Sequence, residues 1–465
     1  MYKSSLLIIA LISLTFIVRA QQFSLYNSRT LIDAFENPSQ STFQPDSSRR
    51  FASNFFLPSI GLNAAADGPA ELTIRRLVYT GTLDARRINA NEKGTNDVTL
   101  SQNTYIAMLR IFKSVKYNRE FGFAWQLKSD VNAQVTNATL MLLNNYNLFK
   151  SPVYSQIFNN SGTAQIYHQF SITYRENYNK RLAFGAKLSY LSGIGYNKLS
   201  IENSSLAVDS QNVNAYLKGS FQTNFLYNDM DNTLAVPGLK NPGLAISLSS
   251  NYKFRGGWYL LGNLKDLGFI YWTKTPYNYS FNNRIIFANV PTSQAGNEIT
   301  NQIEDNFLVA PARDKFTSVI NGKAEFLINK DMGAYQPNLL ISKNLFYKGG
   351  NIAFINTYRH KALNLSFTPS YDLNGLVMLG GQFLIKSPNT ELFMGTDNFF
   401  KTFYTAKGII QASTAGGQGY TGASIYFGFA LKFGRILERQ QNANRIPGIN
   451  TNESEGIFRR LFKKK

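Results

Sequence analysis

The chain has two histidines, so few of its side chains can act as a general base near neutral pH. His168 lies in QIYHQFSITY, within a predicted strand, and His360 lies in TYRHKAL, beside a predicted turn. A serine hydrolase needs such a histidine beside a serine and an acidic or amide residue. Serines are abundant, but simpler roles are a lumen hydrogen bond for His168 and an exposed turn position for His360. We predict no catalytic residues and no enzyme.

The other polar residues do not form a recognisable metal-binding or cofactor-binding pattern. The chain has no cysteine, which removes thiolate nucleophiles and thiolate metal ligands. Histidines and carboxylates show no metal-ligand spacing, and no glycine-rich phosphate loop precedes a predicted helix. The run DMDN at 229–232 has some likeness to a calcium loop, but a solvated loop is the simpler interpretation. We predict no metal site, no cofactor-binding residues and no cofactor.

The stretch at 420–434, YTGASIYFGFALKFG, is the clearest strand in the sequence. Side chains of a strand alternate between two faces. One face carries Ile425, Phe427, Phe429, Leu431 and Phe433, and the other carries Ser424, Tyr426 and Lys432. A strand with hydrocarbon outside and a polar lumen inside has this pattern. Because a barrel has no free edge, we expect pairing with an N-terminal strand at 51–63, interrupted at Pro58.

Similar alternation recurs from residue 105 onward, in runs of about 8–14 residues, the length that crosses a bilayer at a tilt. Examples begin at Phe121, Leu182, Leu217, Leu244, Ile320 and Leu363. Short turns rich in Gly and Asn separate some runs, and long loops at 136–163, 288–315 and 398–419 separate others. The sequence therefore predicts an all-β fold, a transmembrane antiparallel β-barrel of about 14 strands, within a range of about 12–16.

The remaining segments flank this barrel, which is predicted to span 51–434. The first 20 residues have the pattern of a signal peptide, with Lys3 at the start, an apolar run, and Val18-Arg19-Ala20 as a cleavage site. The apolar run is shorter than the ~20 residues that a membrane-spanning helix needs. Residues 21–50 form an irregular segment, which we expect at the barrel mouth, and 435–465 a basic periplasmic tail. The region 73–88 fits a helix or a strand, and the sequence leaves open whether residues 21–50 and 64–102 plug the lumen.

The formal net charge is +20, from 48 basic and 28 acidic residues. An exported protein rarely meets nucleic acid, so we expect outer-membrane lipids and lipopolysaccharide phosphates as partners. Other envelope proteins are expected partners through the long loops or the tail. For the tail tip at 457–465, a solvated charged end is the simpler interpretation, and contact with an anionic membrane or a partner is the alternative. The predicted location is the outer membrane, with both termini periplasmic.

Several stretches carry a family resemblance. The most distinctive are NPG at 241–243 and DLGF at 266–269, and others are LPSIGLN at 57–63, NTYIAMLRIF at 103–112 and IYFGFALKFGR at 425–435. Together they resemble an uncharacterised family of Bacteroidota outer-membrane β-barrels, a domain of unknown function. That family is distantly similar to fatty-acid-transporter-like and PorV-like barrels. The resemblance implies an outer-membrane barrel and supplies no catalytic or ligand residues.

Two classes of function fit this reading. The first is passive or ligand-selective transport of a small molecule, with apolar molecules included. The alternative is a non-conducting accessory or structural barrel in an outer-membrane secretion or assembly complex. A lumen that is fully plugged, in a wall without a lateral opening, would favour the second class. The state of the lumen and of the wall therefore decides between them.

Overall fold

The computed structural model describes residues 23–88, 94–144, 149, 153–208, 212–225, 236–288, 306–415, 417–438 and 456–462. Within these residues the strands are β1 Arg49–Ser53, β2 Ser59–Asp67, β3 Thr95–Ser114, β4 Arg119–Thr136, β5 Val153–Ser155, β6 Ser161–Asn177, β7 Leu182–Val208, β8 Asn212–Thr223, β9 Pro242–Lys253, β10 Trp258–Trp272, β11 Tyr277–Ala288, β12 Phe316–Val319, β13 Lys323–Lys330, β14 Tyr335–Asn344, β15 Gly350–His360, β16 Leu363–Asp372, β17 Leu376–Lys386, β18 Thr390–Thr396 and β19 Thr421–Ile436. The α-helices of the same residues are α1 Leu31–Glu36, α2 Glu71–Thr80, α3 Asn137–Asn144, α4 Phe399–Gln411 and α5 Ile457–Phe462. None of the helices described here is long and apolar enough to cross a membrane.

The strands close into a single antiparallel ring. The last strand, β19, pairs with β18 on one side and with β1 and β2 on the other, which closes the wall. β1 and β2 share one position in the ring, as do β12 and β13, which follow one another along β10. β5, β8 and β11 lie outside the ring, where they extend the far end of β7. The ring therefore has 14 strand positions, and the predicted transmembrane β-barrel is confirmed.

The last strand has the two faces that its sequence predicts. Ile425 and Phe427 are 48% and 42% exposed on the outside of the protein, whereas Ser424 and Tyr426 are buried inside. Its predicted pairing with an N-terminal strand is confirmed, with Phe433 opposite Phe51. The predicted interruption of that N-terminal strand lies at residues 54–58, between β1 and β2. This break adjoins the part of the wall where β2 and β3 do not form a ladder.

The two ends of the barrel differ in their connections. One end, the short-turn end, carries the turns at 115–118, 178–181, 254–257, 331–334, 361–362 and 387–389. The other, the long-loop end, carries α2, α3 and α4 in the connections at 68–94, 137–152 and 397–420. Tight turns at one end and long loops at the other are typical of outer-membrane barrels. Among the described residues, the α-helices that lie in connections between strands are therefore all at one end of the barrel.

The region at 73–88, which the sequence left undecided, is partly helical. α2 covers Glu71–Thr80 and buries Ile74 and Tyr79. Gly81 ends the helix with a φ of 68°, a left-handed conformation that glycine adopts without strain. The predicted signal peptide, the DMDN run at 229–232 and most of the tail after residue 438 lie outside the described residues.

Candidate functional site

The segment 23–48, which we call the plug, lies inside the lumen. Its polar atoms bond to strands on different sides of the ring. Tyr26 Oη donates to Glu325 Oε1 of β13 at 2.5 Å, Leu31 N donates to Glu391 Oε2 of β18 at 2.7 Å, and Ser39 N donates to Ser249 Oγ of β9 at 3.0 Å. β9 and β18 lie on opposite sides of the ring. A single segment can contact both only from within the barrel.

The plug follows the full length of the barrel. At its start, Phe23 N donates to Asp397 Oδ1 at 3.2 Å, and Asp397 directly follows β18 at the long-loop end. At its finish, Asp46 N donates to Leu437 O at 2.5 Å, and Leu437 directly follows β19 at the short-turn end. The plug therefore enters the wall at the short-turn end, where it continues into β1.

The helix α1 forms the middle of the plug, and all six of its residues are buried. Thr30 caps it, since its Oγ1 accepts from Asp33 N at 3.3 Å. The Asp33 carboxylate accepts from Arg29 N at 2.7 Å and from Asn37 Nδ2 at 2.8 Å. Burial nevertheless raises the pKa of Asp33 to about 6. The plug thus contains a carboxyl group that titrates just below neutral pH.

Two buried arginines of the wall hold the plug by its backbone carbonyls. Arg110 donates to Ala34 O at 2.5 Å, and Arg175 Nε donates to Ser39 O at 2.8 Å. Glu120 lies between the two guanidinium groups, 2.7 Å from Arg110 and 4.0 Å from Arg175. A guanidinium has five donors in a rigid fork, so it can pair with a carboxylate and still bind carbonyl oxygens. The irregular backbone of the plug is satisfied in this way without a strand partner.

A cluster of lysines and carboxylates lies where the plug faces β4, β7 and β10. The Asp266 carboxylate is 2.5 Å from Lys128 Nζ and 3.0 Å from Lys187 Nζ, and Glu36 of the plug pairs with Lys265. Asp266 has a φ of 52° at a register shift in β10, an irregularity that re-aims a side chain. Burial would raise the pKa of Glu36, but the three lysines outweigh burial and hold that pKa well below its usual range.

Two small cavities remain beside the plug. The first, of about 80 Å³, is lined by charged and amide residues that include Asn103, Lys128, Lys265 and Asp266. The second, of about 70 Å³, lies towards the long-loop end and shares Asp130 and other residues with the first. We call the two cavities together the chamber. Both are lined by residues of the plug and of the wall.

The wall is unpaired between the middles of β2 and β3. The two strands pair at Ser59 with Tyr105 and at Asp67 with Asp97, but not in between. The intervening residues, 60–66 and 98–104, form what we call the seam. Residues 60–66 still pair with β19 on their other side, and residues 98–104 with β4. At a rise of about 3.4 Å per residue the seam is roughly 20 Å long, most of the thickness of the hydrocarbon core.

Asparagine side chains join β3 to the segments that precede and follow β2, beyond the two ends of the seam. Asn54, in the break between β1 and β2, accepts from Met108 N at 2.7 Å and donates to Ile106 O at 3.1 Å. At the long-loop end, Asn96 of β3 accepts from Ala70 N at 2.8 Å. Each amide replaces ladder hydrogen bonds that the backbone does not make. The seam is therefore a bounded opening in the hydrogen-bond network and not a frayed edge.

The seam adjoins the chamber. Gly61 of β2 and Ser101 and Asn103 of β3 line the first cavity. On the outside, Leu62 of the seam is 39% exposed, and Phe56 in the neighbouring break is 68% exposed. The seam thus separates a polar chamber from an apolar outer surface. If its strands part, the chamber opens sideways into the hydrocarbon core.

The sequence matches the model of a protein family over residues 44–397, and that family is described as a family of unknown function, DUF5723. The chain belongs to this family. The match confirms the resemblance to an uncharacterised family of outer-membrane barrels. It covers the end of the plug, both strands of the seam, and the bridging residues Asn54 and Asn96. No curated protein is significantly similar to this DUF5723 chain in sequence.

Several solved outer-membrane barrels are similar to this DUF5723 protein in structure. The toluene transporter TbuX of Ralstonia pickettii is 8% identical, with 86% of this chain and 94% of that chain covered and a TM-score of 0.43. The toluene transporter TodX of Pseudomonas putida is 9% identical, with 90% and 96% covered and a TM-score of 0.39. The translocator domain of the autotransporter NalP of Neisseria meningitidis is 7% identical, with 83% and 90% covered and a TM-score of 0.30. The similarity extends no further than the barrel architecture.

The two histidines considered from the sequence lie apart from the chamber. Tyr167 and Gln169 face the lumen, so alternation places His168 on the outer face, where its Nδ1 accepts from Trp125 Nε1 at 3.1 Å. The expectation of a lumen position for His168 is therefore wrong. His360 is exposed beside the β15–β16 turn, as predicted. Among the described residues no group of three or more histidines and carboxylates is arranged to hold a metal ion.

Proposed function

We propose that the protein passes a small amphipathic molecule through the seam, between the polar chamber and the hydrocarbon core of the outer membrane. The seam is the observation that carries this proposal. Backbone N–H and C=O groups without partners are costly in hydrocarbon. Residues 60–66 of β2 and 98–104 of β3 form no ladder with each other, and a wall that serves only as a scaffold gains nothing from such a gap. A wall that opens there has a low barrier to doing so, because no ladder must be broken first.

The two sides of the seam indicate the chemistry of the molecule. The inner side presents Ser101, Asn103 and the ion pairs around Asp266, which favour a polar or charged group. The outer side presents Leu62 and meets the lipid chains, which favour an apolar body. A pure hydrocarbon would desolvate the chamber without replacing its hydrogen bonds. A small, mainly apolar molecule with one polar group matches both sides.

Passage also requires movement of the plug. The plug is held in part by hydrogen bonds and by the Glu36–Lys265 ion pair. A ligand group that replaces the partner lost at each of these contacts keeps the net cost of the exchange modest. An anionic group that enters the chamber competes with Glu36 for Lys265. Binding of the molecule and release of the plug are thereby coupled in this proposal.

A reversible cross-link across the seam tests the proposal. Continuing the register of β2 and β3 places Asn63 opposite Ser101, and the chain has no cysteine of its own. The variant N63C/S101C is produced in intact bacterial cells, and entry of the fluorescent aromatic amine N-phenyl-1-naphthylamine is measured. We expect entry above that of cells without the protein when the thiols are reduced. Oxidation should abolish the excess.

The matched control is T357C/S366C, which joins two paired strands, β15 and β16, away from the seam, where the two hydroxyl oxygens are 2.9 Å apart. Its oxidation should leave entry unchanged. If the oxidised seam variant still admits the probe, the seam is not the path. If neither protein admits the probe in either redox state, the barrel does not transport this class of molecule, and the accessory role becomes the better account. A heat-modifiable gel shift verifies that each variant is folded.

A further inference from the structure

We propose that the C-terminal helix α5 is an interfacial helix that binds anionic phospholipid headgroups at the short-turn end of the barrel. This inference does not depend on the seam or on transport. It rests on where α5 packs, on which of its residues remain exposed, and on the charge of the chain that follows it.

α5 packs against the outer face of the wall. The ring of Phe458 lies 5.6 Å from that of Tyr174 and 5.7 Å from that of Phe184, and the ring of Phe462 lies 5.4 Å from that of Phe184. Tyr174 and Phe184 belong to β6 and β7, on the same face as Ile172, which is 64% exposed. That face is the lipid-facing surface of the barrel. α5 therefore lies on the membrane side of the wall, outside the lumen.

Backbone contacts fix α5 at the rim, at the level of the short turns. Ile457 N donates to Tyr174 Oη at 3.2 Å, and Arg459 N donates to Glu176 Oε1 at 2.7 Å. The Arg459 guanidinium lies 5.2 Å from the ring centre of Tyr117, in the β3–β4 turn. Donors at the start of a helix otherwise need water, so these wall groups let α5 sit at a membrane surface. The height of the helix is thus set by the ends of β3, β4 and β6.

The composition of α5 suits an interface. Ile457, Leu461 and Phe462 are 50%, 70% and 55% exposed although α5 already packs on the wall. The sequence from 457 to 465 is IFRRLFKKK, with five basic residues and no acidic one. Exposed apolar side chains beside a block of positive charge are typical of helices that lie at anionic membrane surfaces. A freely solvated tail, the simpler interpretation of the sequence, does not account for the packing of α5 on a lipid-facing surface.

A fluorophore on α5 tests this inference in the full-length protein. The variant L461C is labelled with the environment-sensitive fluorophore NBD and placed in lipid nanodiscs of phosphatidylcholine. The nanodiscs are made with or without about 30% phosphatidylglycerol, which supplies the anionic headgroups. With the anionic lipid we expect a shorter emission wavelength and several-fold stronger quenching by spin-labelled lipid. High salt should weaken both effects, because headgroup attraction is screened.

Two labelled references and one charge variant complete the test. N389C, in the exposed β17–β18 turn at the same end, should report water in both lipids, and I172C should report hydrocarbon in both. The substitutions R460Q, K463Q, K464Q and K465Q in the L461C protein should remove the response to phosphatidylglycerol. A response at residue 461 that is equal in both lipids and survives those substitutions would overturn anionic recognition. Emission that matches N389C throughout would overturn the interfacial position altogether.

Discussion

Asp33 is the residue whose ionisation bears most directly on the plug. It is buried in α1, and its hydrogen bonds from Asn37 and Arg29 N and the positive charges of Lys386 and Arg29 favour its ionised form. Burial outweighs their attraction and raises the pKa of Asp33 from its ordinary value of 3.8 to about 6. A carboxyl group with a raised pKa binds its proton more tightly in the folded state than in the unfolded state. Its contribution therefore favours the docked plug at low pH and is lost as pH rises through about 4 to 6.

We predict that Asp33→Asn reduces the pH dependence of stability. The shift of about two pKa units corresponds to roughly 3 kcal/mol, which the wild type loses between pH 4 and pH 7 and the amide does not. The measurement is the midpoint of thermal unfolding in detergent at both pH values. The unfolding midpoint of the variant should rise relative to that of the wild type as pH rises. An unchanged difference between the two pH values would show that Asp33 does not control docking of the plug.

At the scale of the element, the break between β1 and β2 has a defined role. Phe55 and Phe56 have left-handed φ values of 49° and 60°, and Pro58 lacks a backbone donor. Such residues cannot continue a ladder, so the side chain of Asn54 makes the contact with β3 instead. The break thus sets one limit of the seam.

We predict that Asn54→Ala widens the seam. The substitution leaves Met108 N and Ile106 O without the partner that Asn54 supplies, at a cost of about 1–3 kcal/mol for each unsatisfied buried group. Entry of N-phenyl-1-naphthylamine into intact cells should rise several-fold. The matched control is Asn356→Ala, since Asn356 lies in a ladder that is paired on both sides. Equal entry of the probe in the two variants would show that Asn54 does not control the opening of the seam.

The sequence indicates the wall far better than it indicates the seam. Alternating outer and lumen residues in β19 predict its two faces, and Pro58 predicts the break before β2. The lumen-facing residues of the seam, such as Asn63 and Ser101, are small and polar like other lumen residues of the barrel. Pairing between strands depends on a partner about 40 residues away, which alternation within one strand does not specify. For this reason the seam cannot be predicted from the sequence.

The charge cluster around Asp266 could not be predicted from the sequence, for a related reason. Lys128, Lys187 and Lys265 each lie in a different strand, and each has the pattern of an ordinary lumen residue. Their meeting at Asp266 depends on the strand register and on the bulge in β10. The DLGF motif at 266–269 was distinctive only as a mark of the family. The structure shows that its first residue is the centre of the cluster.

For the whole molecule, charge is unevenly distributed. In the cluster around Asp266, basic side chains are paired with acidic ones, so this part of the lumen contributes little to the formal net charge of +20. The block IFRRLFKKK carries five positive charges, and its described part, α5, lies at the short-turn end. An outer-membrane barrel has short turns on its periplasmic side and long loops outside. We infer that this block faces the periplasmic leaflet, whose anionic lipids are phospholipids.

This orientation gives the last prediction. A protease site inserted in the connection that carries α4, between residues 412 and 419, should be cleaved when protease is added to intact cells. The same site placed after Lys465 should resist cleavage until the outer membrane is permeabilised. Both insertions lie outside the wall strands, so each variant should keep its heat-modifiable gel shift. The reverse pattern of cleavage would show that the barrel has the opposite orientation in the membrane. It would then place α5 on the lipopolysaccharide leaflet, whose phosphates are also anionic, so the lipid bound by α5 in cells depends on this result.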